Sequence, residues 1–314
     1  MSKYIKDHSL SVGYNNTGQE FFDILHKYEK YIHSYFFSLL DRLEGDIFNR
    51  DTAEFLAYNL YRNNTYNIPA NILFNNKYSF DHWEEIIDLV YNKINLKYAT
   101  VYNPIDGYLI KNKYPDIDIH LSVRFWDWNY RSNMNEKLNN IPDYISTINI
   151  SGVYSYNDFE FIKACKNKGF KTKIIANEGC IINRDTNYST FPECENLLCW
   201  NEQHKICNTN CIKIRNKYQW MELATVDLYK ESLKYYDIDY IKLATRFNDN
   251  ILIHNLLEYW TSDLYTGFAR GLNINEKNYG SFLEYIEYRS KCSGMCFTCK
   301  KCEYFYNKLK GDIE

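Results

Sequence analysis

The chain has 314 residues, a formal net charge of −3 and a pI near 6.2, which gives no basic nucleic-acid footprint over the whole molecule. No apolar run approaches the roughly 18 residues that span a bilayer, and the N-terminal stretch lacks a signal-peptide core. The expected compartment is the cytoplasm, where thiols stay reduced and clustered cysteines favour metal over disulfides.

Short β-branched or aromatic runs alternate with longer amphipathic stretches. In chain order the expected strands are Ser9–Tyr14, Tyr31–Phe36, Asn71–Phe74, Tyr98–Tyr102, Ile119–Phe125, Thr147–Ile150, Lys173–Ala176 and Tyr240–Ala244. Helical patterns fall between them at Gln19–Tyr28, Thr52–Arg62, Asp81–Ile94, Glu136–Asn140, Asn157–Lys168, Val226–Tyr235 and Asn250–Thr261. In the fifth of these, Phe159, Ile162 and Cys165 share a face and Gly169 supplies a C-cap. Alternation of this kind predicts a parallel sheet with helices outside, and at this length a (β/α)8 TIM-like barrel; a doubly wound open sheet is the alternative. With no linker-like stretch, the division expected is a barrel over 1–285 and a cysteine-rich C-terminal tail over 286–314.

In such a barrel the reactive groups follow the C-terminal ends of the strands. Tyr14, Asn15, Asn75, Asn103, Arg124, Ser151, Asn177, Glu178 and Arg246 occupy those positions. The 31 tyrosines, as a group, are read as packing residues. The histidines form no HxH or HExxH pattern, and no GxSxG, Walker or GxGxxG loop is present.

Nine of the ten cysteines lie after residue 179. Cys180, Cys194, Cys199, Cys207 and Cys211 fall in a segment of about thirty residues after the seventh strand, far longer than ordinary connections. Cys292, Cys296, Cys299 and Cys302 close the chain within eleven residues. Four thiolates suit an iron–sulfur cluster or tetrahedral zinc, and spacing does not separate the two. The terminal group satisfies CxxxCxxC, but it follows the last strand and Thr298 precedes Cys299. A radical S-adenosylmethionine core is therefore not the reading; an accessory cluster or a zinc staple is. Cys165 reads as a small core residue, and His204 as a solvent-facing loop residue that could alternatively replace a thiolate.

The segments Lys173-Ile-Ile-Ala-Asn-Glu-Gly-Cys180 and Tyr240-Ile-Lys-Leu-Ala-Thr-Arg-Phe247 resemble the collagenase-like peptidase U-thirty-two family, best over about residues 144–250. The resemblance implies an iron–sulfur TIM-like barrel. It also implies oxygen-independent hydroxylation, of a quinone ring or of RNA bases, in place of proteolysis. By position, Cys180 and then Cys211 are the implied 4Fe–4S ligands, completed from Cys194, Cys199 and Cys207. Asn183 and Arg184 stand where relatives often carry cysteine and proline. One cluster in the 178–215 loop is expected, with a second cluster or zinc at the tail.

Glu178 is read as a general acid/base or a capping carboxylate. Arg246 and Arg124 are read as anion-orienting donors or surface ion pairs, and Phe125-Trp126-Asp127-Trp128 as an aromatic wall or packing at the mouth. The function expected is an iron–sulfur oxidoreductase or hydroxylase acting on a small molecule or RNA. The alternatives are a metal-stabilised scaffold working as the partner subunit of another protein, and a peptidase.

Overall fold

A computed structural model describes residues 5–39, 48–74, 80–126, 134–150, 159–176, 229–245, 249–262, 274–291 and 299–311. Eight parallel strands close into a barrel in sequence order. They are β1 (Leu10–Gly13), β2 (Ile32–Phe37), β3 (Ala70–Phe74), β4 (Leu96–Val101), β5 (Asp118–Leu121), β6 (Ile145–Ile150), β7 (Lys171–Ile175) and β8 (Tyr240–Leu243). Each expected strand has its counterpart, and β8 returns to β1 with Lys242 opposite Ser11. Thr245 Oγ1 donates to Gly13 O at 2.7 Å across that seam.

The outer layer contains α1 (Gln19–Lys27), α2 (Arg50–Asn63), α3 (Trp83–Asp88), α4 (Pro104–Lys113), α5 (Met134–Asn139), α6 (Phe159–Asn167) and α7 (Asn250–Thr261). Phe21, Phe22, Ile24 and Leu25 bury one face of α1. Asn49 caps α2 by accepting from Thr52 N, and Asp249 caps α7 by accepting from Leu252 N. Gly169 ends α6 at a positive φ of 83°, as its sequence position requires. Cys165 on the same helix is fully buried, and burial pushes its thiol up to about 12.

Three elements depart from expectation. The fifth strand stops at Leu121, and Val123–Phe125 forms a 3-10 turn closed by Phe125 N donating to Ser122 O. The helix expected over Asp81–Ile94 is regular only to Asp88, then tightens into turns that end at Ile94. Of the Val226–Tyr235 stretch, Lys230–Tyr235 is a 3-10 helix. Helix α4 escapes the sequence pattern because Ile105, Tyr108 and Leu109 face solvent while Gly107 and Ile110 are buried.

That inversion puts a glycine where the helix lies close against β5. A Cβ on Gly107 would meet Ile119 Cγ2 at 2.7 Å, and Ile119 is buried and β-branched, so it has little room to move. Gly107→Ala is therefore expected to destabilise by about 1–3 kcal/mol, despite alanine's better helix propensity. Urea unfolding should show a lower midpoint with an unchanged slope.

A second apolar cluster lies beyond the barrel helices. Helices α8 (Tyr279–Ser290) and α9 (Lys301–Lys310) pack Phe282, Tyr285, Ile286, Phe305, Tyr306 and Leu309 together with Tyr229 and Ile274. Residue 285, where the sequence reading ends the barrel, lies inside α8. No helix among the described residues is long and apolar enough to cross a membrane.

Candidate functional site

Strand residues alternate between the helix-facing side and the barrel interior. Contacts between non-neighbouring strands identify the interior set, because such contacts can only pass through the lumen. His120 on β5 meets Asn71 on β3 and Lys173 on β7; His33 on β2 meets Tyr98 on β4; Lys242 on β8 lies over Phe36 on β2. Barrel interiors are ordinarily filled by Val, Ile and Leu. This one is polar.

At the N-terminal end of the lumen the His33 ring stacks on Tyr240 at 4.0 Å and lies 4.5 Å from Tyr98. His33 Nε2 is buried and has no hydrogen-bond partner among the described residues. Burial, with help from Lys173, holds this imidazole down at about 2. Tyr98 is pushed up to about 12, chiefly by burial.

One level toward the mouth runs a chain of side-chain contacts. Thr100 Oγ1 donates to Asn71 Oδ1 at 3.0 Å, and Asn71 Nδ2 lies 3.3 Å from His120 Nδ1. Since Asn71 spends its oxygen on Thr100, its NH2 faces the histidine, so Nδ1 accepts and the neutral ring carries its proton on Nε2. Lys173 Nζ lies 3.4 Å from the same Nδ1 and 5.2 Å from the centre of the Tyr240 ring. Lys173 is only 1 % exposed. Burial and then the charge of Lys242 push its amine well below the ordinary lysine range. Burial and then Lys173 depress His120 in turn.

Lys242 stands closer to the mouth, opposite Ile175 in the β7–β8 register and 4.4 Å from the centre of the Phe36 ring. The interior positions beside these groups carry Ser11, Ser34, Thr147 and Asn149. No buried carboxylate is present among the described lumen residues.

The residues singled out in the sequence fall differently. Glu178, Arg246, Cys180, Cys194, Cys199, His204, Cys207, Cys211, Cys292 and Cys296 lie outside the described residues, as do Asn75, Ser151 and Asn177. Arg124 is described only in its backbone, within the 3-10 turn after β5. Of the terminal thiols, Cys299 Sγ is 3.4 Å from the Tyr288 hydroxyl, and Cys302 is buried in the second apolar cluster. Among the described residues no three His, Cys, Asp or Glu side chains gather as metal ligands.

Three strand-end residues have structural roles. Asn103 accepts from Ile105 N and caps α4. Tyr14 packs into an aromatic group with Phe21, Phe22 and Tyr35. Asn15 donates to Asn250 and ties the β1 loop to α7. Trp126 is packing as well, set edge-on against Phe161 of α6.

Sequence reasoning overlooked Lys173, Lys242, His33 and His120. A signal existed for the lysines: each stands beside apolar residues within a barrel strand, Lys173 before Ile174 and Ile175 and Lys242 between Ile241 and Leu243.

No family model matches the chain. No curated protein matches it either. Solved structures similar to it include the tryptophan synthase α2β2 complex of the hyperthermophile Pyrococcus furiosus, at TM-score 0.48 and 9% identity, covering 82% of this chain and 98% of that one. An aldo-keto reductase from a Medee basin deep-sea metagenome library matches at TM-score 0.41 and 8% identity, with 91% of each chain covered. The barrel assignment itself stands on the strand pairing.

Proposed function

We propose that the chain is an iron–sulfur enzyme of the oxidoreductase or oxygen-independent hydroxylase kind, working at the C-terminal mouth of the barrel. The observation that carries the reading is the pairing of β7 with β8. The two segments that resemble the U-thirty-two family are these adjacent strands, with Lys173 opposite Tyr240 and Ile175 opposite Lys242. Ala176 N donates to Lys242 O at 2.9 Å, so the strand leading to Asn177-Glu178-Gly179-Cys180 and the strand leading to Arg246 end side by side.

The lumen below that rim suits the implied group. A 4Fe–4S cluster on four thiolates is a net anion, and the interior offers Lys242 toward the mouth, with no buried acid among the described lumen residues to oppose it. Cys180, Cys211 and two of Cys194, Cys199 and Cys207 would hold it. When bound, it would supply one-electron transfer or Lewis acidity toward an oxygen donor. Lys242 would hold an anionic group of the substrate, with Glu178, Arg246 and Arg124 as further orienting groups. The substrate class is a small molecule or an RNA base. The terminal thiols Cys292, Cys296, Cys299 and Cys302 would take a second cluster or zinc.

Single serine substitutions test the ligand assignment on protein purified without oxygen. Cys180→Ser and Cys211→Ser should each lose most of the loop iron, while Cys165→Ser should keep all of it. Full iron retention in Cys180→Ser would overturn the assignment.

A further inference from the structure

We propose that Lys173 is the nucleophile of an imine-forming site in the barrel lumen, taking a small aldehyde or ketone that enters from the C-terminal end. The proposal goes beyond the iron–sulfur reading and does not depend on it. Lys173 is a fully buried amine with no carboxylate paired to it among the described residues; its neighbours are His120 Nδ1 at 3.4 Å and the Tyr240 ring. A buried ammonium without an anion is costly, so the stable form of such a group is the free amine. That form is the one that attacks a carbonyl carbon. A second cationic residue beside a lysine is an established way to keep it unprotonated.

The groups facing Lys173 come from every side of the barrel. They are Lys242 and Tyr240 from β8, His120 from β5, His33 from β2, Tyr98 from β4 and Lys171 from its own strand. None is an acid. The Thr100–Asn71–His120 chain fixes the imidazole so that Nδ1 accepts. Lys173 and Asn71 share that one acceptor in a three-centre contact, which leaves the lone pair of the amine free to point elsewhere. His120 is thus a positioning residue. Lys242, one level nearer the mouth, lies where an incoming carbonyl oxygen would meet its charge.

The step balances without a co-reactant. The Lys173 nitrogen bonds to the carbonyl carbon, and the oxygen departs as water with the two amine hydrogens. A C=N bond remains, and no atom is oxidised or reduced.

Reductive trapping at pH 7 tests this, using formaldehyde and then glycolaldehyde with cyanoborohydride and reading each lysine by peptide mass spectrometry. Surface lysines, with ordinary values near 10.4, are almost wholly protonated at pH 7 and react slowly. Lys173 is expected to label at least tenfold faster than their mean, and the fast site should vanish in Lys173→Met. In Lys242→Met, the pH at which Lys173 labelling is half-maximal should move upward; in His120→Asn, Lys173 should still label, with an altered pH profile. Circular dichroism confirms that each variant is folded. Lys173 that labels only after urea unfolding would overturn the proposal. So would a labelling midpoint equal to that of the surface lysines.

Discussion

Replacing Lys173 with methionine should make the protein more stable at neutral pH, by on the order of a few kcal/mol. Most core substitutions do the reverse. The expectation follows from the lumen: Lys173 is buried beside Lys242 with no acid partner among the described residues, and its amine lies well below its usual range. Folding therefore weakens the hold on a proton that the unfolded chain keeps up to a pH of about 10.4, at about 1.4 kcal/mol per pH unit of lowering. Methionine has similar length and bears no charge to desolvate. The sign is fixed by linkage. Because the folded pKa is the lower one, the unfolded state binds more protons throughout that window, and wild-type stability rises as pH rises toward 10.4. The gap between Lys173→Met and wild type should be widest near neutrality and close above that value. Urea unfolding at pH 7, 8.5 and 10 measures it.

Acid should unfold the protein earlier than its carboxylates alone require. His33 is held down at about 2, first by burial and then by Lys173, and His120 lies well below its ordinary 6.5 for the same leading reason. Both are neutral in the folded lumen. As pH falls below about 6.5, each is protonated in the unfolded chain before it can be in the folded one, so stability present above that pH is lost progressively toward about 2. The pair is worth on the order of several kcal/mol at the acid end. His33→Phe would keep the ring packing against Tyr98 and Tyr240 without the titratable nitrogen. Its stability should fall less steeply between pH 6 and 4 than that of the wild type, which thermal midpoints would reveal.

The barrel was legible because its outward-facing residues obey simple rules. Leu10 and Val12, Ile72 and Phe74, and Ile148 and Ile150 are apolar at every second position, and Gly169 marks the end of α6. The inward-facing residues were not legible by the same rule. His33, His120, Lys173 and Lys242 come from four strands far apart in sequence, and only closure of the sheet brings them together. Periodicity within one strand shows that Lys173 alternates with Thr172 and Ile174; it does not show which side is the lumen. Asn103 was misread for a related reason, since a polar residue after a strand serves equally well as a ligand or as the cap of the next helix. Helix α4 was missed because its exposed face is the apolar one. Cysteine spacing was plain in the sequence, yet spacing alone fixes neither the metal nor the ligand set.

Iron and acid-labile sulfide per chain, measured with an optical spectrum on protein purified without oxygen, test the central claim most directly. The account predicts about four of each for a single cluster and broad absorbance near about 400 nm. A colourless protein with stoichiometric zinc and no sulfide would contradict it.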